Sequence, residues 1–335
     1  MRIPTYYILL LAIFINSCSS SDDSSQNTNQ NMDICTESNR YTEEDTFSES
    51  EIVSVTDITY GNAVDWLGNN QDLVMDAYYP DLIEDEIAQR PAILLIHGGG
   101  FIGGNKSTWA DECLSFAKKG YVAFSLGYRL GWDTNNPTDQ VLAVYRAHQD
   151  ARAAMRYIVA NAATYGIDTN WLFIGGSSAG AVTALNDVYV TQDEWNAFFP
   201  GIEASLGGLN TSGNSLTNTY QLKGVFNNWG ATILDYIDTS EMVPMVAFHG
   251  DQDTTVPIDI GEMGFSGSRV ISNLLDFNNV CFDLTVEPGG GHGIYTNVSG
   301  TEFRVGRASC FFKSIMCDNC ADFNATTRID ANCSI

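Results

Sequence analysis

Basic side chains are scarce in this chain. Its 335 residues carry 16 Lys and Arg against 41 Asp and Glu, a formal net charge of −25. Nucleic-acid binding needs a basic footprint, and none is visible, so no nucleic-acid partner is expected. An anionic surface of this kind keeps a chain soluble and weakly repels anions, and it is silent about fold. Histidine is scarce too. There are four, His97, His148, His249 and His292, and none stands in an H-E-x-x-H or similar spacing. No metal and no cofactor are expected. With 44% apolar and 17% charged residues the composition is that of a globular protein.

The apolar run "YYILLLAIFI" near the start is too short to span a membrane as a mature helix, and Arg2 precedes it. That is the anatomy of an export signal, expected over residues 1–17. Its end, Ile15-Asn16-Ser17-Cys18, resembles a bacterial lipobox, with Cys18 as the lipidated residue. The resemblance implies a membrane contact made only through a lipid anchor, at the outer membrane or cell surface. An ordinary secretory signal, with a periplasmic or secreted product, is the alternative. "SSSDDSSQNTNQN" follows and cannot pack a core, so residues 18–50 read as a polar tether.

Eight cysteines less Cys18 leave seven, an odd number in a chain expected where disulfides persist. Cys113 is the expected free thiol, on a helical face with Trp109 and Phe116. Cys317-Asp-Asn-Cys320 lies at the wrong end of the chain for a redox motif, and structural disulfides are the expectation.

From Glu51 two alternating stretches read as half-exposed antiparallel strands. Buried strands "AILLIHG", "YVAFSLGYR", "WLFIGG", "LKGVFNNWG", "VPMVAFHG" and "VCFDLTVEPG" then alternate with helical segments near 107–119, 140–165, 178–189, 260–277 and 302–316. The pattern predicts a mostly parallel sheet with helices on both faces, over residues 51–317, and a Cys-containing tail over 318–335. Residues 191–221 break the rhythm and are expected to form a cap. Trp195, Phe198 and Phe199 would line a substrate pocket, and the Gly/Ser/Asn-rich part would let them close over it.

"WLFIGG" runs into Gly176-Ser177-Ser178-Ala179-Gly180 and then a helix, which is G-x-S-x-G in its required strand–turn–helix setting. Ser178 is the candidate nucleophile. Only His292 follows every other required element, in the Gly-rich loop "EPGGGHGIY", and is the candidate base. Asp251 and Asp253 both follow a strand. The H-G-x-x-D-x-x-V-P spacing selects Asp253 as the acid and leaves Asp251 as a loop residue. In "IHGGGFIGGN" the glycines bare a backbone whose amides can converge on an oxyanion. Gly99 and Gly100 are the candidates there, with Ala179 beside the nucleophile and His97 anchoring the loop. A phosphate cradle is the rival, and its G-K-S spacing fails because Gly104 and Lys106 are not adjacent.

"HGGGF", "GGSSAGA", "HGDQDTTVP" and "GGGHG", in this order, resemble the α/β-hydrolase superfamily, and within it the carboxylesterases with an HGGG oxyanion motif, similar to hormone-sensitive-lipase-type and microbial polysaccharide or polyester esterases. The resemblance implies an eight-stranded sheet and a serine esterase. Ser178, Asp253 and His292 would be its triad, and Gly99, Gly100 and Ala179 its oxyanion hole. Its substrates would be extracellular esters: short acyl, polysaccharide-linked acyl or feruloyl, or polyester. "LGYRL" lacks the acidic residue usual before Tyr-Arg in the lipase-type branch. A serine peptidase of the same fold and an inactive surface-binding module are the rival readings.

Overall fold

Arg90–Ile96 (β3) buries all seven of its residues, as a strand covered on both faces must. Ile93 and Leu95 point into one apolar cluster, Leu94 and Ile96 into the other. The period of two thus serves two cores. The computed structural model describes residue 35 and residues 39–83, 85, 87–261, 264–331 and 333. The expected signal peptide 1–17 and Cys18 lie outside these residues, as does most of the expected tether.

In chain order the strands are Ile52–Val64 (β1), Asn70–Pro80 (β2), β3, Val122–Leu126 (β4), Ile167–Ser177 (β5), Leu222–Asn228 (β6), Ala231–Ile233 (β7), Met245–Gly250 (β8), Phe265–Gly267 (β9), Phe282–Glu287 (β10) and Phe323–Ala325 (β11). The helices are Ala110–Lys118 (α1), Pro137–Ala160 (α2), Ala162–Tyr165 (α3), Ala179–Tyr189 (α4), Gln192–Phe198 (α5), Ile202–Leu206 (α6), Ser268–Phe277 (α7) and Val298–Met316 (α8). The main sheet has the order β1-β2-β4-β3-β5-β6-β8-β10-β11. β1 pairs antiparallel with β2, and β2 with β4, while every later pairing in this sheet is parallel. Helices α2, α4 and α7 pack on one face, α1 and α8 on the other. β7 and β9 form a separate small ribbon.

Several boundaries differ from expectation. Among the described residues the main sheet has nine strands, not eight. The ninth, β11, comes from the tail expected outside the domain. At three residues it is too short for a periodic signal and too short to hold by itself. It is held beside β10 by the Cys281–Cys320 disulfide and by Arg307, which donates to Asp283 on β10 and to the Ile329 carbonyl at 2.8 Å. Cys310–Cys333 and Cys35–Cys317 complete the bridges, and Cys113 is free and buried. The two cysteines of the Cys-x-x-Cys pair thus take different partners.

The expected tether also ends early. Tyr41 is 1% exposed and packs edge-on against Tyr121, and Arg40 pairs with Asp85 at 2.6 Å. The expected helix over 140–165 begins instead at Pro137, where Asn136 caps it, and breaks at Asn161 before α3. Of the expected helix over 260–277, Ser268–Phe277 is α-helical, and β9 takes Phe265–Gly267 before it.

Replacing Cys281 and Cys320 by serine removes a cross-link between residues 39 apart. The expected loss is about 2–4 kcal/mol of unfolding free energy, read from the urea midpoint. An unchanged midpoint would show that β11 docks without its bridge.

Candidate active site

The first element of the site is a turn that most side chains could not adopt. Ser178 has φ 53° and ψ −122°, between the end of β5 and the start of α4. A non-glycine residue at positive φ is strained and must be held there. Two glycines make the turn fit. A Cβ on Gly176 would lie 2.5 Å from the Ile96 carbonyl oxygen, and one on Gly180 2.6 Å from the His97 carbonyl oxygen. Asn228, at the end of β6, holds the turn from the other side. Its carbonyl accepts the Ser178 N–H at 3.0 Å, and its side-chain amide donates to the Gly176 carbonyl at 3.0 Å.

His292 reaches Ser178 from the loop after β10. Its Nδ1 lies 2.7 Å from Asp253 Oδ2 and its Nε2 2.8 Å from Ser178 Oγ. A carboxylate only accepts, so Nδ1 carries the proton and Nε2 is left to accept from the serine hydroxyl. Asp253 Oδ1 accepts from the Thr255 and Val256 amides, each at 2.9 Å. Burial alone would raise the Asp253 pKa. Hydrogen bonds from His249, the Val256 amide and His292 outweigh it and bring the value down to about 2. Asp253 is therefore a carboxylate throughout the neutral range. Asp251 is the expected loop residue: its carboxylate accepts the Gly289 N–H at 2.6 Å and braces the loop that carries His292.

The glycine loop packs directly against the serine. A Cβ on Gly98 would lie 2.9 Å from the Ser177 carbonyl oxygen and 3.2 Å from Ser178 Cβ. Gly99 has φ 117° and Gly100 φ 62°. The Gly99 carbonyl accepts the Ile102 and Gly103 amides at 3.1 and 3.0 Å, so across a trans peptide the Gly100 N–H points the opposite way. Trp132 Nε1 fixes the next peptide by donating to the Gly100 carbonyl at 3.0 Å. Gly100 and Ala179 line the cavity together with Ser178, whereas Gly99 is not among its lining residues. His97 anchors the loop as expected. It stacks on Tyr128 at 4.4 Å, and the Tyr128 hydroxyl donates to its carbonyl.

The cavity has a volume of about 750 Å³ and runs along α4 past Val182 and Asn186 to Val190. Val141 and Val144 of α2 and Trp195 and Phe198 of α5 form much of its wall. Trp195 is locked by its indole N–H, which donates to His148 Nδ1 at 3.0 Å. The remaining cap expectations are corrected. Phe199 does not line the cavity; it packs against the cluster of Val190, Ile202 and Leu209. The Gly/Ser/Asn-rich part does not close over the site either. Arg156 donates to the Ser212 carbonyl at 2.7 Å, Asn214 to the Tyr60 and Ala153 carbonyls at 2.9 Å, and the Asn62 amide to the Gly213 carbonyl at 2.7 Å. These bonds strap the segment to α2 and β1.

Three supporting residues went unread in the sequence. Arg304, 2% exposed, donates to Asn228 Oδ1 at 2.9 Å, to the Tyr295 carbonyl at 3.0 Å and to Glu112 at 2.7 Å. It joins the serine's turn to the histidine's loop. His249 lies 3.4 Å from Asp253 Oδ2 and 2.8 Å from the Val256 carbonyl through Nε2, while Nδ1 faces Ser268 Oγ at 2.7 Å. No spacing marks Asn228 or Arg304. His249 stood in a recognised motif, but without a partner to assign.

Set against known proteins, residues 75–241 match the BD-FAE family model. Carboxylesterase 1C of Rattus norvegicus is 34% identical over 113 residues, 33% of this chain and 20% of that one. Esterase E4 of Myzus persicae is 30% identical over 132 residues, 38% of this chain and 24% of that one. The chain thus spans about a fifth to a quarter of these relatives' length. The apo form of Thermogutta terrifontis esterase 2 superposes with a TM-score of 0.58 at 21% identity, covering 80% of this chain and 96% of that one. Esterase B of Lactobacillus rhamnosis gives 0.52 at 17% identity, covering 80% and 89%.

The fold is that of the α/β-hydrolases. Within this fold the serine, histidine and carboxylate come from three separate loops at the carboxyl edge of the sheet, after β5, β10 and β8. Asp253→Asn should lower the rate at which an organophosphate labels Ser178 about 10⁴-fold, the cost of a misdirected imidazole, and Asp251→Asn far less. A larger loss for Asp251→Asn at unchanged melting temperature would reverse the two roles. Arg304→Met leaves Glu112 buried without its cation and should cost about 3–5 kcal/mol of stability, read by chemical denaturation.

Proposed function

We propose that this chain is a serine carboxylic-ester hydrolase working through an acyl-enzyme. One observation carries the reading: the hydrogen-bonded series Ser178, His292, Asp253 opens onto a cavity whose wall includes Gly100 and Ala179. Ser178 Oγ attacks the ester carbonyl as His292 Nε2 takes its proton. Amides of the Gly99–Gly100 loop and of Ala179 receive the developing oxyanion. His292 returns the proton to the leaving alcohol, and water activated by the same nitrogen then releases the acid. Asp253 stays ionised and holds the imidazole tautomer.

The apolar wall along α4 suits an acyl or aryl group. The esters in view are extracellular: short acyl, polysaccharide-linked acyl or feruloyl, or polyester. The three disulfides among the described residues support an oxidising compartment. Export with a lipid anchor at Cys18 completes the reading, and Cys18→Ser should then move the protein out of the membrane fraction with activity intact.

Among the structural neighbours, Thermogutta terrifontis esterase 2 is phosphorylated by paraoxon. The same reagent tests this chain. Ser178 should be the labelled residue, and Ser178→Ala should lose both label and ester turnover, the latter by at least about 10⁴-fold because the three side chains act as a unit. Labelling at Ser177, or full activity in Ser178→Ala, would overturn the assignment. No labelling and no turnover of any ester would favour an inactive binding module.

A further inference from the structure

An exposed apolar ridge leads from the glycine loop to the tip of the β1–β2 hairpin. Ile102 is 53% exposed, and its Cγ1 lies 4.0 Å from the position of a Cβ on Gly100. On the other side of that loop stands Trp132, half-buried, with its indole N–H on the Gly100 carbonyl. The residue before it, Gly131, has φ 111°, and a Cβ there would overlap Nε1, Cδ1 and Cε2 of Trp66. The pyrrole edge of Trp66 therefore lies on the backbone beside Trp132. Trp66 is 42% exposed, with Val64 at 50% and Leu67 at 65%.

The hairpin tip is fixed. Asp65 Oδ1 accepts the Leu67 and Asn69 amides at 2.9 and 2.8 Å, and Arg129 Nη1 donates to the Val64 carbonyl at 3.0 Å. A tryptophan held at a rigid turn with much of its ring in water contributes little to the core. Exposed apolar surface beside a cavity, here next to the lining residues Gly100 and Phe101, marks a place where something else binds.

We propose that Trp66, with Trp132 and Ile102, is a stacking platform for the sugar rings of a neutral glycan whose ester enters the Ser178 cavity. The proposal rests on the ester-hydrolase reading and names the substrate that reading leaves open. A flat indole offers an apolar face to the C–H face of a pyranose. Exposed Asn69, Asn70, Asp133 and Asn135 stand next to the ridge in sequence and can bond ring hydroxyls. The charge of −25 disfavours acidic polymers and anionic lipid surfaces. The platform adjoins the Gly100 loop, so a bound chain would present its substituents at the cavity mouth.

The test compares the full chain with Trp66→Ala and Trp66→Phe on acetylated xylan and on 4-nitrophenyl acetate. Trp66→Ala should raise KM on the glycan about 10-fold, the loss expected for one aromatic contact. It should leave kcat and the 4-nitrophenyl acetate kinetics unchanged, and Trp66→Phe should retain part of the effect. Tryptophan fluorescence should respond to an unsubstituted xylo-oligosaccharide in the parent and less in Trp66→Ala. An unchanged KM on the glycan in Trp66→Ala would overturn the platform, as would a parallel loss on a polyester film. If no ester is turned over, the ester-hydrolase reading fails, and the fluorescence titration still decides whether a glycan binds at Trp66.

Discussion

Two glycine-rich segments occupy one crowded space, and the geometry of the site depends on that crowding. Any side chain on Gly176 or Gly180 would strike the end of β3, and any side chain on Gly98 would strike the serine turn. Removing every Cβ from the contact lets the loop after β3 and the turn after β5 approach backbone to backbone. The close approach brings the Gly100 peptide to the same cavity wall as Ser178 and Ala179. Glycine's entropic cost is offset by a geometry that no larger residue allows.

The turn is strained, so the structure around it must be stiff. Asn228 uses its carbonyl, its amide nitrogen and its amide oxygen, and the last is held by a buried arginine. Arg304 also holds the Tyr295 carbonyl in the loop that carries His292. One guanidinium thus fixes the position of the Ser178 turn relative to the His292 loop. Its planar fork suits such a junction, because several donors with fixed directions meet several acceptors at once. His249 does for Asp253 what Arg304 does for the other two: it faces Oδ2, the oxygen that His292 also holds, while the Thr255 and Val256 amides take Oδ1.

On the proposed reading, substrate contact is divided between an inner and an outer surface. Inside, α4, α2 and the cap helix α5 line an apolar cavity. Outside, a hairpin belonging to the antiparallel edge of the sheet brings Trp66 alongside the glycine loop. The Gly/Ser/Asn-rich part of the cap connects these layers as a strap, since Gly213 and Asn214 bond to β1 itself. A segment rich in flexible residues is ordered here because the buried side chains of Gln149 and Arg156 on α2 satisfy its carbonyls, while Asn214 donates to carbonyls of β1 and α2.

The amino-acid sequence by itself determined the central strands, their alternation with helices and the four motifs. Each of these is local. A buried parallel strand is apolar on both faces, and a tight turn needs glycine, whatever surrounds it. The odd cysteine could be assigned to Cys113 because a helical face of Trp109 and Phe116 is a local pattern as well. Tertiary structure alone decided the rest. β11 is three residues long and exists because β10 and a disulfide hold it. Phe198 and Phe199 are adjacent and alike, yet one faces the cavity and the other the cap's own core, since the end of α5 turns between them. Arg304 looks like a surface cation on an amphipathic helix until the fold places Asn228, Tyr295 and Glu112 around it. Periodicity reports which side of an element is buried. What it is buried against depends on contacts between residues far apart in the chain.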